Sequence, residues 1–341
     1  MRHGVVLFTS DRGITPAQAA RAAEAAGFGF FYVPEHTHIP VRRDSPHPRT
    51  GTAELPDDRY LRTLDPWVAL SMAAAVTATI RLGTAVALPA EHDPIALAKT
   101  IASLDHLSGG RVELGVGFGW NADELADHGV PPGKRRTVLR EHLAAMQALW
   151  SQEEASYEGE FVSFAASWAW PKPVQQPRVP ILAGAGGTEK TFGWIARCAD
   201  GWLTTPGETG LDDKIALLHQ AWREAGRDGQ PRVTALAGKP DPDVLAQWAG
   251  IGVTDVAFGM PDRSPDEVVG YLGRLAGRLG LTSTSSSRRA VRAVLTGSER
   301  FRRAAGRAVA ISRPARANAA GYPVRPANRP KSAGPAPYPA S

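Results

Sequence analysis

A histidine with an acidic neighbour follows the apolar run of residues 28–33, within the segment PEHTH of residues 34–38. Imidazole gains and loses a proton near neutral pH, which makes His36 a candidate proton donor or acceptor. A single histidine is equally compatible with a hydrogen-bonded structural role. The residue type and its place after an apolar run predict a catalytic role for His36 and leave the structural role open.

A glycine-rich segment, AGAGGT at residues 183–188, runs directly into a helical pattern that begins near residue 189. Backbone N–H groups at a helix N-terminus bind phosphate when glycines leave them uncovered, and a capping threonine adds its hydroxyl. The segment therefore predicts an anion site at Gly186, Gly187 and Thr188. Glycines required only for a tight turn are the alternative.

Two other segments are suited to lie beside a flat ligand. The sequence GVGFGW contains Gly117 and Trp120, and glycines let a backbone approach a ligand closely while a tryptophan flanks a ring. Small side chains around Ala85 leave room for a planar group. The alternatives are a turn with a core tryptophan and tight packing of a strand.

These segments belong to a chain in which a short apolar run and a longer helical pattern alternate eight times. The predicted strands are residues 4–8, 28–33, 80–88, 111–116, 179–183, 202–205, 233–236 and 253–258. Apolar strands that alternate with amphipathic helices indicate a parallel sheet covered by helices, an α/β fold. Eight such units predict a (β/α)8 TIM barrel, which places chemical groups at the C-terminal ends of its strands. An open doubly wound sheet is the alternative.

Two insertions interrupt this alternation of predicted strands and helices. Residues 36–65 form a long polar, proline-rich loop after the second strand. Residues 156–180 contain a predicted hairpin, YEGEFVSF, before the fifth strand. Long connections in compact domains are commonly functional.

The C-terminal part of the 341-residue chain differs in kind from the rest. Residues 281–341 contain eleven Arg, one Lys and one Glu, a formal charge of +11, which leaves −6 for residues 1–280. The tail is also rich in Ser and Pro, a composition that predicts disorder. The predicted domains are therefore a barrel over residues 1–280 and a basic tail over residues 281–341. A nucleic-acid or membrane contact is the alternative for the tail, and nucleic-acid binding is not expected for the barrel.

The remaining composition excludes several classes of protein. The single cysteine, Cys198, rules out an intramolecular disulfide and a cysteine-rich metal site, and no metal is predicted. No run approaches the about 18 apolar residues that span a bilayer. No secretory signal is evident at the N-terminus. A cytoplasmic protein without membrane contact is the expectation.

One stretch carries a specific resemblance. Residues 87–124, ALPAEHDPIALAKTIASLDHLSGGRVELGVGFGWNADE, closely resemble the luciferase-like monooxygenase family, especially LSGGR followed by GVGFGW. The pair Glu35-His36, the run PKPVQQPRVPILAGAGG and the sequence ADGW at residues 199–202 also resemble the family. The resemblance extends over residues 1 to about 280 and leaves out the tail.

The resemblance implies a (β/α)8 barrel that binds FMN or the deazaflavin F420 with its ring in the barrel mouth. It places the cofactor phosphate on Gly186, Gly187 and Thr188. It implies a non-proline cis peptide bond under the ring near Ala85-Val86. It also identifies His36 with the family's active-site histidine, which orients substrate or exchanges a proton.

Within the family, the pattern GVGFGWNADE with LSGGR is most similar to F420-dependent members, which move hydride to or from a small organic substrate. An FMN monooxygenase supplied by a separate reductase is the first alternative, and a non-catalytic flavin-binding barrel is the second. A homodimer is expected.

Other residues bear on the substrate and on the acidic tail of F420. Lys134, Arg135 and Arg136 are candidate partners of that tail, with a solvated helix start as the alternative. Phe118 stands where relatives that oxidise sugar phosphates carry an acid. An apolar or aromatic substrate is therefore expected, with Phe118, Trp120, Trp168 and Trp170 as candidate contacts.

Overall fold

The protein is described from a computed structural model that covers residues 1–131 and 133–281. Its strands are β1 (Arg2–Leu7), β2 (Phe30–Val33), β3 (Arg81–Thr84), β4 (Val112–Gly117), β5 (Ala155–Glu158), β6 (Ser163–Ser167), β7 (Ile181–Gly184), β8 (Gly201–Leu203), β9 (Arg232–Ala237) and β10 (Asp255–Met260). Its helices are α1 (Pro16–Ala25), α2 (Pro66–Ala74), α3 (Pro94–Ser108), α4 (Ala122–Asp127), α5 (Arg135–Ser151), α6 (Glu189–Cys198), α7 (Leu211–Glu224), α8 (Pro242–Gly250) and α9 (Pro265–Arg278).

Eight strands close into a parallel barrel in the order β1-β10-β9-β8-β7-β4-β3-β2. Closure is direct, because β1 pairs with β2 on one side and with β10 on the other, from Arg2 opposite Asp255 to Leu7 opposite Met260. The predicted TIM barrel is confirmed and the open doubly wound sheet is wrong. Buried residues on the strands, such as Phe31 and Trp202, pack against the surrounding helices and form the core.

Both predicted insertions lie outside the barrel sheet. The loop between β2 and α2 contains a 3₁₀ turn at Asp58–Arg62. The hairpin before the fifth barrel strand forms a separate antiparallel pair, β5 with β6. Both segments therefore lie outside the repeating strands and helices of the barrel, as the sequence predicts.

Most strand ends lie within two residues of the sequence pattern, and two differences are larger. The third strand ends at Thr84 rather than residue 88: beyond it only Ala87 makes an isolated parallel bridge, to Val116, and a 3₁₀ turn follows at Pro89–Glu91. A short helix, α4, begins soon after β4, where the sequence analysis placed none. The Asn121 side chain caps α4 by accepting from the Glu124 backbone N–H, a signal too local to reveal a helix of six residues.

Charged side chains tie the N-terminal ends of the strands together inside the barrel. Glu113 lies 2.6 Å from Arg81 and 3.0 Å from Arg232, and Asp255 lies 2.5 Å from Arg2. Burial would raise the pKa of Glu113, but Arg232, Arg2 and Arg81 hold it below its ordinary value. This end of a barrel serves stability, so the network leaves the opposite end for chemistry.

In the part of the chain that the structure describes, no helix has both the length and the apolar character needed to cross a bilayer. The predicted disordered tail, residues 281–341, lies outside the described residues except for Leu281. Its predicted disorder and the nucleic-acid or membrane alternative stay predictions.

Candidate active site at the mouth of the barrel

His36 lies just beyond the C-terminal end of β2, and one carboxylate fixes its ring. Its Nδ1 is 2.8 Å from Oε2 of Glu124, which lies on α4. The Thr37 backbone N–H donates to the other oxygen of Glu124 at 3.0 Å. When Nδ1 donates its hydrogen to this carboxylate, the neutral imidazole keeps its lone pair on Nε2. The structure thus places His36 at the mouth with Nδ1 engaged by a carboxylate, an arrangement suited to proton exchange at Nε2.

Three buried glutamates lie behind this histidine. Glu124 is 0 % exposed, Glu35 3 % and Glu91 7 %. Glu35 is satisfied by the Leu88 backbone N–H at 2.6 Å and by His92 Nε2 at 2.7 Å. Glu91 keeps one buried oxygen without a hydrogen-bond partner. Burial, together with the nearby carboxylates Glu124 and Glu35, raises the pKa of Glu91 to about 9. Glu91 is therefore protonated at neutral pH.

The raised pKa of Glu91 makes stability depend on pH. The unfolded chain loses this proton near its ordinary pKa of 4.5, whereas the folded protein keeps it until about pH 9. Stability therefore falls as pH rises through this window. We expect Glu91→Gln, which is neutral in both states, to raise the free energy of unfolding by about 3 kcal/mol at pH 7 and by much less at pH 5.

Urea unfolding of wild type and Glu91→Gln at the two pH values measures this difference. Glu153→Gln is the control, because Glu153 is exposed. An equal effect of Glu91→Gln at pH 5 and pH 7 would contradict the protonated state of Glu91.

Aromatic side chains form a wall beside His36. The ring centroids of Tyr60 and Trp120 lie 5.5 Å and 5.7 Å from that of His36, and Phe8 lies 4.7 Å from Tyr60. His47 joins them with its Nε2 3.0 Å from the Tyr60 hydroxyl and its ring 4.8 Å from Trp120. Tyr60 and His47 come from the loop between β2 and α2, which therefore helps to build the mouth.

The peptide bond Ala85-Val86 is cis, as the sequence resemblance implied. Both residues are partly exposed at the mouth. A Cβ on Gly117 would come within 2.5 Å of one methyl of Val86, and a Cβ on Gly184 within 2.4 Å of the other. These two glycines are thus required for Val86 to pack between β4 and β7. This packing role of Gly117 differs from the predicted close approach to a ligand.

The glycine segment after β7 leads into α6 as predicted. Thr188 is the N-cap of α6, and its hydroxyl accepts from the Thr191 backbone N–H at 3.2 Å. A Cβ on Gly186 would have no atom within 4 Å, so the backbone there is open on its Cβ side. The Gly187 N–H lies 3.4 Å from a carboxylate oxygen of Glu208, which also contacts the ammonium of Lys214. The segment therefore combines backbone donors with a nearby cation and with a carboxylate that already contacts one of those donors.

The three basic residues at the start of α5 are all engaged. Lys134 forms an exposed ion pair at 3.2 Å. Arg135 donates to the Gly119 carbonyl at 2.7 Å. The Arg136 guanidinium lies 4.1 Å from the ring centroid of Phe118. Arg135 and Arg136 thus lie beside the end of β4, while Lys134 points to a surface partner.

The two tryptophans after β6 are largely exposed. Trp168 is 73 % exposed and Trp170 60 % exposed. The Trp170 carbonyl accepts a hydrogen bond from Lys99 on the outer surface of α3. This exposure and the contact with Lys99 do not support the predicted substrate contact, which stays a prediction.

Several side chains of the site were missed in the sequence analysis, namely His47, Tyr60, Glu91, Glu124, Glu208 and Lys214. They come from loops and helices spread between residues 47 and 214, and only Glu208 and Lys214 are close to each other in sequence. Among residues 1–131 and 133–281, no group of three or more His, Cys, Asp or Glu side chains is arranged to hold a metal ion.

Two proteins of mycobacteria are similar to this chain in sequence. An uncharacterised protein of Mycobacterium tuberculosis is 68 % identical over 279 residues, which cover 82 % of this chain and 99 % of that protein. The F420-dependent hydroxymycolic acid dehydrogenase of the same species is 29 % identical over 232 residues, covering 66 % of this chain and 58 % of the relative.

Two solved structures have the same fold. A monooxygenase from Streptomyces bottropensis matches with a TM-score of 0.65 and 19 % identity, covering 82 % of this chain and 98 % of its own. An F420-dependent secondary alcohol dehydrogenase matches with a TM-score of 0.62 and 18 % identity, covering 82 % and 99 %. The family model for luciferase-like monooxygenases matches residues 15–240. The chain belongs to the luciferase-like monooxygenase family.

Proposed function

We propose that this protein is an F420-dependent oxidoreductase that transfers hydride between the deazaflavin and a small organic substrate at the barrel mouth. One observation carries the proposal. His36 stands at the mouth with Nδ1 held by Glu124 at 2.8 Å, on the same end of the barrel as the glycine segment that begins α6. A proton-exchanging group and an anion site at one mouth are what a phosphorylated redox cofactor requires.

The side chains of the mouth fit a planar ring. Ala85 and Val86 offer an apolar, partly exposed surface, and Val86 is held in place between Gly117 and Gly184. The aromatic wall that includes Trp120 bounds this surface on the His36 side. An apolar lining with a few placed polar groups is typical of a cofactor site.

The segment after β7 fits a phosphate. Gly186 leaves its backbone open, Thr188 caps α6, and the Lys214 ammonium lies near the Gly187 N–H through their shared contact with Glu208. Backbone N–H groups at a helix N-terminus and a lysine are favourable partners for phosphate oxygens. Gly186, Gly187 and Thr188 therefore remain the proposed phosphate ligands.

The chain's own chemical contribution is proton transfer and orientation. Bound F420 would supply the hydride chemistry. His36 would exchange a proton with the substrate through Nε2, and the Glu124 carboxylate would stabilise the resulting imidazolium. Phe118 and Trp120 at the end of β4 favour an apolar or aromatic substrate over a sugar phosphate.

The choice of F420 over FMN is supported by sequence relatives rather than by fold. The hydroxymycolic acid dehydrogenase, at 29 % identity, is named for F420, whereas solved structures at 18–19 % identity share only the fold. The homodimer, the partner reductase, the cytoplasmic location and the contact of Arg135 and Arg136 with the acidic tail of F420 stay predictions.

A fluorescence titration of the purified protein with F420 and with FMN tests the cofactor. We expect saturable binding of F420 and clearly weaker binding of FMN. Preference for FMN would replace the proposal by a monooxygenase supplied with reduced flavin. Binding of neither compound would overturn the enzyme proposal. Gly186→Asp protein is the control for binding outside the mouth.

A further inference from the structure

A carboxylate already engages one backbone donor of the predicted phosphate site, the Gly187 N–H. Glu208 Oε1 accepts from the Gly187 N–H at 3.4 Å and contacts Lys214 Nζ. Its Oε2 accepts from the Thr205 hydroxyl. The Glu208 side chain is 7 % exposed. Burial alone would raise the pKa of Glu208, but bonds from Lys214, Thr205 and Gly187 lower it below its ordinary value. Glu208 is therefore an anion at neutral pH.

Lys214 is held across the glycine segment by packing as well as by charge. A Cβ on Gly187 would come within 2.9 Å of Lys214 Cδ, so the lysine stem lies directly on this glycine. Lys214 and Glu208 form an ion pair at the segment. The pair carries no net charge, which differs from a phosphate site built from cations alone.

We propose that Glu208 is a specificity-determining residue that makes the anion site favour a singly charged phosphodiester over a doubly charged phosphate monoester. This inference rests on the proposed function, which places a cofactor phosphate at Gly186, Gly187 and Thr188. The phosphate of F420 is a diester with one charge, and the phosphate of FMN is a monoester with up to two. A dianion is repelled by the Glu208 carboxylate about twice as strongly as a monoanion at the same place.

The test compares each cofactor with its chromophore lacking phosphate. Dissociation constants are measured for F420, its phosphate-free deazaflavin, FMN and riboflavin. The ratio within each pair isolates the contribution of the phosphate and its attachments. We expect Glu208→Gln to strengthen that contribution about tenfold for FMN and about threefold for F420. Asp213→Asn removes the same charge from an exposed residue of α7 and is expected to change neither ratio.

A second variant examines the cation. Lys214→Met retains the apolar stem that packs on Gly187 and removes the ammonium. We expect it to weaken the phosphate contribution for both cofactors, with riboflavin affinity unchanged. Circular dichroism and thermal unfolding of each variant verify that the barrel is folded.

The outcomes separate this inference from the proposed function. If wild type binds F420 but Glu208→Gln strengthens the phosphate contribution equally for FMN and F420, the role of Glu208 is overturned. The same holds if Glu208→Gln strengthens neither. In both cases the proposed function stays intact. Weaker binding of both cofactors by folded Glu208→Gln also overturns it, because Glu208 would then serve only to position Lys214. Binding of neither cofactor by wild type overturns both proposals.

Discussion

His36→Asn is expected to lower turnover by about 10²–10⁴-fold while cofactor affinity stays within about threefold of wild type. The reason is geometric. Glu124 holds Nδ1 of His36 at 2.8 Å and leaves Nε2 to exchange a proton, whereas an asparagine amide does not titrate. Steady-state kinetics with a hydride donor or acceptor that wild type turns over, together with the fluorescence titration, separate kcat from cofactor binding.

Glu124→Gln tests whether the carboxylate acts through His36. We expect a smaller fall in kcat than in His36→Asn and little further loss when the two changes are combined, since both act through one imidazole. Asp127→Asn is the matched control, because Asp127 also lies on α4 but is exposed and contacts His38 instead. Undiminished turnover of His36→Asn would mean that another group handles the proton.

Gly186→Asp is expected to weaken F420 binding by about 100-fold or more. It would place a carboxylate beside the proposed phosphate, and two like charges about 4 Å apart repel by several kcal/mol at the effective dielectric of a protein surface. Gly186 suits the experiment because an added Cβ meets no atom within 4 Å, whereas at Gly187 it would come within 3.0 Å of Phe192 and Trp202. The fold is therefore expected to tolerate the change.

Gly186→Asn supplies the control of equal shape without charge. It is expected to lose far less affinity than Gly186→Asp, and the difference should shrink as salt concentration rises. Equal affinities of the two variants for F420 would remove the phosphate from this segment. Riboflavin, which has no phosphate, should distinguish the two variants least.

The amino-acid sequence by itself determined the architecture and the outline of the site. Eight apolar runs alternating with helical patterns specified the barrel, because each parallel strand must be covered by a helix. The position of His36 after the second strand and of Gly186 before α6 placed both at the C-terminal end of the strands. Such features are local in sequence, and the barrel topology converts them into a common location. The stretch at residues 87–124 identified the family.

The tertiary structure alone decided which side chains surround these residues. Glu124 reaches His36 from a helix 88 positions away, and the loop after β2 folds Tyr60 against Trp120. The raised pKa of Glu91 follows from burial and from two carboxylates that the sequence does not place nearby. The exposure of Trp168 follows from the course of the hairpin. These contacts depend on chain closure and on burial, which set distance and dielectric, and neither is encoded in the local spacing of residues.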